Sequence, residues 1–229
     1  MSFQSPVRPL ILKGALAVYP DQTPGSQPST VISFQYNPDS MKRTLAHRAV
    51  PPPTQANNTG AAREDILRVA GPPVETISMT IDLRADEQLE DPDMNGAVAE
   101  NGLHPALATL ELIMYPPTQD TQTADSQAAS GKVQINPPKI PLVLLIWGKS
   151  RVVPVKLTTF SVSEDAFDTR LNPIGAKIEL GMQVLTSVEF PDSSIGRDAY
   201  VAYQKAKEIL AQLDVPGSNS GGLRNLLPH

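Results

Sequence analysis

Proline sets the first limit on this chain. It occurs 23 times in 229 residues, about twice the usual frequency. Several prolines are paired or tripled, as at Pro51-Pro52-Pro53, Pro72-Pro73, Pro116-Pro117 and Pro137-Pro138. A proline inside a helix removes a hydrogen bond and collides with the preceding turn. Long helices and helical bundles are therefore not the expected architecture. Short segments remain between the breaks, and most of them are rich in β-branched and aliphatic residues.

Residues 9–19 (PLILKGALAVY), 30–36, 41–50, 74–83, 140–148, 151–163 and 174–190 read as strands. The clearest is 74–83, in which Ile77, Met79, Ile81 and Leu83 alternate with Thr76, Ser78, Thr80 and Asp82. That period of two marks a half-buried strand. Residues 140–148 form a continuous apolar run, the mark of a central strand buried on both faces. Pro154 suggests an edge or a bulge in 151–163. In 174–190, Ala176, Ile178, Leu180, Met182, Val184 and Thr186 are in phase. Asn37-Pro38-Asp39-Ser40 is a turn signal, with 41–50 as the return strand. Lys149-Ser150 reads as a hairpin turn, and 164–173 as a connecting loop. Residues 63–70 read as a short strand or a turn of helix closing the loop that starts at Pro51.

Two segments carry helical spacing. Leu103, Leu107, Leu110, Ile113 and Met114 share a face, with Pro105 in the first turn and Pro116-Pro117 as the stop. Residues 197–213 form a second helix, with Tyr203, Ala206, Leu210 and Leu213 on one face. Residues 118–132 are Gln/Thr/Ser/Ala-rich without large apolar side chains and read as mobile, and 214–229 as a frayed tail. The expected fold is mainly β (α+β), an antiparallel barrel or sandwich with one flanking helix and a C-terminal helix. The expected division is a β domain over 1–190 and a helix with a flexible tail over 191–229.

Composition removes whole classes of chemistry. The chain has no cysteine, so it has no disulfide framework, thiolate metal site or Cys nucleophile. A net charge of −5 argues against a nucleic-acid surface. The longest apolar run, 140–147, is too short to span a bilayer, and residues 1–8 do not read as a signal peptide. A cytoplasmic protein without direct membrane insertion is expected. Length allows one large or two small domains, large enough to bury about 70% of the unfolded surface.

The motifs of catalysis are missing. His47, His104 and His229 form no metal-ligand spacing, and no nucleophile elbow or nucleotide-binding glycine pattern occurs. Gly148-Lys149-Ser150 leads into a strand rather than a helix, so a hairpin turn explains it. Residues 82–101 hold seven acids and one base. Within them, Asp91-Pro92-Asp93-Met94-Asn95-Gly96 is reminiscent of a calcium loop, but a proline intrudes and no closing Glu follows. A solvated loop accounts for it. Tyr200 and Tyr203 read as packing residues. No cofactor, metal or catalytic residue is expected.

Taken in order, several motifs resemble one family. Phe34-Gln35-Tyr36-Asn37-Pro38-Asp39-Ser40 is similar to the F-x-[FY]-N-P signature of tube/baseplate-adaptor (tube-initiator) proteins of phage-tail-like contractile injection systems. Thr76 to Leu83 matches their L-x-L-x-L-type strand. The acidic stretch and helix over 86–114 follow, and then Pro137-Pro138 through Ile146-Trp147-Gly148. The match covers roughly 9–190. The LysM module that often ends such proteins has no counterpart here. The resemblance implies a tail-tube-like β domain in a homo-hexameric ring. Its implied partners are the inner tube or tube initiator, the spike/hub and baseplate wedge proteins. Phe34, Tyr36, Asn37, Pro38, Asp39, Trp147 and Tyr203 are the expected interface residues, along with strands 152–163 and 174–190. The alternative is a β-rich carbohydrate-binding module or hydrolase using Trp147 and acids such as Glu90 and Asp91.

Overall fold

The computed structural model describes residues 12–48, 69–91, 93–130 and 139–213. Over these residues the protein is mainly β, in the α+β class. Its strands are β1 (Ala15–Tyr19), β2 (Thr30–Ser33), β3 (Met41–Ala46), β4 (Val74–Arg84), β5 (Leu142–Ile146), β6 (Val152–Phe167) and β7 (Pro173–Val184). All pair antiparallel in one sheet of order β2-β1-β5-β6-β7-β4-β3. The helices are α1 (Asp86–Leu89), α2 (Gly96–Asn101), α3 (His104–Glu111), α4 (Thr118–Ala129) and α5 (Ile195–Leu213), with a 3-10 turn at Leu112–Met114.

The alternation in β4 does what its period requires. Ile77, Met79 and Ile81 enter the core, and Thr76, Ser78 and Thr80 face solvent. Their β7 partners Ile178, Leu180 and Met182 are buried beside them. Each such side chain stabilises the fold by about 1.5–3 kcal/mol relative to exposure. The apolar run of β5 is continuous because both of its faces are covered. Val143 and Leu145 join the main core, while Leu142 and Leu144 join a second cluster with Ala17 and Phe190. Ile195 and Ala199 at the start of α5 pack on that second cluster. Leu103, Leu107, Leu110 and Ile113 bring the α3 region into the main core, and Tyr200 and Tyr203 bring in α5. The turn at residues 148–150 forms as expected, with Gly148 at φ +74°.

Several boundaries and roles differ from expectation. Of the expected first strand, residues 9–11 lie outside the described residues, 12–14 are not strand and the strand begins at Ala15, and the second ends at Ser33. The expected return strand does not pair with β2. β3 stops at Ala46 and pairs with β4, at the opposite edge of the sheet. Its side chains interlock with the start of β4, where Arg43 meets Glu75, and that partnership outweighs the short local connection. Pro154 lies in a central strand opposite Leu144. Its carbonyl accepts from the Leu185 amide at 2.9 Å, so its nitrogen points to the same side. The β6–β7 ladder begins one residue on, at Val155 and Val184. The missing N–H therefore falls at the end of a ladder, where it is tolerated.

The acidic stretch holds two short helices, α1 and α2, and its residues 91 and 93–95 lie between them outside any helix, as the loop reading expects. Residues 118–129 form helix α4 despite lacking large apolar side chains. Side chains there bond back to earlier carbonyls, as Thr123 does to Gln119 at 2.7 Å. β6 continues to Phe167, which shortens the expected 164–173 loop to a tight turn. β7 ends at Val184, because Thr186 and Glu189 bond to each other and turn the chain. On α5 the buried face is Gly196, Tyr200 and Tyr203, whereas Leu210 and Leu213 are exposed. The expected loop through Pro51, the segment 63–68 and the tail 214–229 lie outside the described residues.

Candidate functional site

The segment 34–40 joins the two edge strands of the sheet, and Phe34, Gln35 and Asn37 each have a distinct task. Phe34 is buried, and its ring lies 6.4 Å from that of Trp147. Gly14 makes room for the pair. A Cβ there would come within 2.6 Å of the Trp147 ring and 2.8 Å of the Phe34 ring. The Phe34 amide also donates to the Gly14 carbonyl at 2.8 Å.

Gln35 bonds across to the end of β4. Its Nε2 donates to the Arg84 carbonyl at 2.8 Å, and its Oε1 accepts from the Arg84 amide at 2.9 Å. A side-chain amide thus reproduces the two bonds of an antiparallel residue pair. Asn37 repeats the device toward the start of β1. Its Oδ1 accepts from the Gly14 amide and its Nδ2 donates to the Leu12 carbonyl, each at 2.9 Å. Asn37 therefore bonds a distant strand rather than the nearby turn amides expected of it. Pro38 is half-buried, and Tyr36 and Asp39 are exposed, Tyr36 at 44%. The motif pins the connection between the sheet edges and leaves Tyr36 and Asp39 at the surface.

Tyr203 belongs to a different centre. Glu75 lies on β4 in phase with Ile77 and Met79, so its carboxylate points inward and is 3% exposed. A buried carboxylate must be paired. Arg43 on β3 donates through Nε to Oε1 at 2.7 Å, Lys207 on α5 reaches Oε2 at 3.0 Å, and the Tyr203 hydroxyl donates to Oε1 at 3.0 Å. The Lys207 ammonium also lies 4.0 Å over the Tyr203 ring centroid. Burial pushes the Glu75 carboxyl up, but the bonds from Lys207, Arg43 and Tyr203 outweigh it and hold it below its ordinary value. Burial, reinforced by Glu75, pushes the Tyr203 hydroxyl up to about 12. This knot ties α5 to the β3–β4 edge. It was missed from sequence, where the signal was a carboxylate at an inward position of an alternating strand.

A second knot anchors the chain after β3. Arg48 donates to the Pro72 carbonyl at 3.0 Å and to the Thr186 hydroxyl at 3.2 Å, and it pairs with Glu189. Burial pushes Glu189 up, but bonds from Thr186 and Arg48 bring it below the ordinary value. Glu189 and Asp21 line a cleft of about 1190 Å³ whose walls include Pro20, Pro116, Pro141 and Pro191. The Thr23 hydroxyl bonds Asp21 and lowers it too. Both carboxylates are therefore ionised at neutral pH, which suits them to holding structure rather than donating protons.

The expected interface residues thus fall into separate places. Phe34, Asn37 and Trp147 meet around Gly14, Tyr203 is buried in the Glu75 knot, and Tyr36 and Asp39 face solvent. Of the strands expected to offer their edges, β7 is paired on both sides, by β6 and β4, whereas β6 pairs with β5 only over Val152–Val155, so its residues 156–167 have a strand partner on the β7 side alone. The outermost strands β2 and β3 likewise have a strand partner on one side alone among the described residues. Trp147 is half-buried, packed against the core beside Phe34. Among the described residues no group of His, Asp and Glu is placed to hold a metal ion, and no helix is long and apolar enough to cross a membrane. A scan against protein-family models finds no match for this chain, and a search of curated proteins finds none.

Proposed function

We propose that this chain is a structural baseplate component of a contractile injection system. In this reading it forms a ring that joins the inner tube to the spike or hub and helps initiate tube assembly. The ordered motifs over 34–40, 76–83 and 137–148 motivate the assignment. The observation that supports it best is the pair of sheet edges, β2 and β3, without a strand partner among the described residues. An open edge carries a row of unmet N–H and C=O groups, and a neighbouring subunit can satisfy them. Two different edges on one subunit allow head-to-tail contacts that close into a ring.

The Gln35 and Asn37 bonds fit this role, because they hold the connection between the edges in one shape before assembly. The ring's neighbours would be tube, spike and wedge proteins, and the site would bind without turnover. Deletion of the gene in the native host tests the proposal. The expected result is loss of full-length particles, with unattached spikes or misassembled sheaths. Particles of normal length, number and tip morphology would refute it.

A further inference from the structure

The longest hairpin, β6–β7, ends in the turn 168–172, and the tip is built at some cost. Leu171 adopts φ +66° and is the one non-glycine residue with positive φ among those described. That region suits Gly or Asn and penalises a large side chain. The Leu171 side chain gains little packing in return, being 78% exposed. Phe167, at the base of the same turn, is 50% exposed. The turn itself is held by Asp168, whose Oδ1 accepts from the Arg170 amide at 2.7 Å and the Asn172 amide at 2.8 Å.

The tip is also clamped from below. Asn172 Nδ2 donates to the Glu100 carbonyl at 3.0 Å, and the Leu103 amide donates to the Pro173 carbonyl at 2.7 Å. Gly102 permits this approach, since a Cβ there would lie 2.4 Å from the Pro173 oxygen. The tip is therefore joined to α2, in the part of the chain where negative charge concentrates. Residues 86–101 carry six acids and no base, and residues 164–173 carry three acids and one base.

We infer that the Leu171 tip, with Phe167, is a docking knob for another protein that presents an apolar socket rimmed by Lys and Arg. A firmly held, strained and exposed Leu serves folding poorly, and backbone strain of this kind concentrates at functional positions. The acids of 86–101, joined to the tip through the bonds at Glu100 and Pro173, favour a cationic rim and disfavour anionic surfaces such as nucleic acid or acidic lipid, whereas Asp165 of the hairpin is already paired with Arg84 at 3.1 Å. The same field disfavours docking tip to tip with a second copy. This gives the acidic stretch a role, and it does not depend on which particle the chain belongs to.

The chain's lack of cysteine allows a clean test. Full-length Thr169→Cys, exposed in the same turn with Leu171 left in place and carrying a photoactivatable maleimide, is mixed with extract of the native host lacking the wild-type gene and irradiated. The adduct is then mapped by mass spectrometry. The expected product joins the tip to a single different protein, at a residue flanked by Lys or Arg. The purified partner should then bind Leu171→Asn about 10- to 100-fold more weakly than wild type and lose affinity as salt rises. Asn accepts positive φ, so Leu171→Asn should unfold at no lower urea concentration than wild type, and weaker binding cannot be blamed on misfolding.

Absence of an adduct, an adduct between two copies of this chain, or a partner indifferent to Leu171→Asn would each overturn the inference. If the confirmed partner proves not to be a tube, spike or wedge protein, the proposed function fails while the docking knob stands.

Discussion

Replacing Glu75 by Gln should loosen the attachment of α5 to the sheet. The carboxylate accepts from Arg43, Tyr203 and Lys207, and its side chain is only 4% exposed. Bonds to a charged acceptor are each worth about 1 kcal/mol more than neutral ones, which suggests about 3 kcal/mol for the set. Two effects lower the loss. Gln is cheaper to bury than a carboxylate. Arg43 and Lys207 are about a third exposed, at 29% and 33%, so water recovers part of their charge interaction. A loss of about 2 kcal/mol remains.

With a urea dependence of about 3 kcal/mol per molar for a chain of this size, the midpoint should fall by roughly 0.7 M at pH 7. The assay is urea unfolding followed by circular dichroism and by Trp147 fluorescence. The pH dependence checks the cause. The folded-state pKa of Glu75 is depressed below 4.5, so its contribution is present above that value and lost as pH falls through the lower, folded one. The difference between wild type and Glu75→Gln should therefore shrink in acid. An unchanged midpoint at pH 7, or an undiminished difference well below pH 4, would refute the reasoning.

Other expectations follow from the same contacts. Gly14→Ala should cost about 1–3 kcal/mol through overpacking, and it should shift the Trp147 emission, since the new methyl meets that ring. Gln35→Ala removes both bonds to the Arg84 backbone and should cost about 1–2 kcal/mol in urea unfolding. Ultraviolet titration should find one tyrosine ionising near pH 12, as held for Tyr203, and Tyr203→Phe should abolish that step. Because this folded-state pKa is raised, the hydroxyl's contribution is complete below the ordinary value of 10 and fades as pH rises toward 12.

Much of the sheet was legible because its signals are local. The alternation from Thr76 to Leu83 and the unbroken apolar run before Trp147 each identify a strand from its own residues. The α3 face was legible for the same reason, from Leu103 to Ile113. Pairing was not. Asn37-Pro38-Asp39 looked like a hairpin turn, yet β3 travels to the far edge because Arg43 finds Glu75 on β4 and Arg48 finds Glu189. Those partners are 32 and 141 residues away, beyond any local pattern. α4 was missed because its helicity owes nothing to an apolar stripe.

The 34–37 motif was noticed as a signature, but its mechanics needed coordinates. Nothing in Gln35 or Asn37 alone reveals that their amides stand in for strand residues. Glu75 was hidden by its neighbours, a charged residue inside an alternating strand that reads as surface until Arg43 and Lys207 are seen beside it. Leu171 was hidden for the opposite reason, as one apolar residue between Arg170 and Asn172 in a polar turn.

The proposed assembly role is tested most directly by where the protein sediments in its native host. Tagged full-length protein would be recovered from gently lysed cells, sedimented, and its companions identified and counted. The account predicts co-sedimentation with sheath, tube and spike proteins, at about six copies per particle as expected for a single closed ring and far fewer than tube or sheath subunits. Recovery as a small species free of any such particle would contradict it.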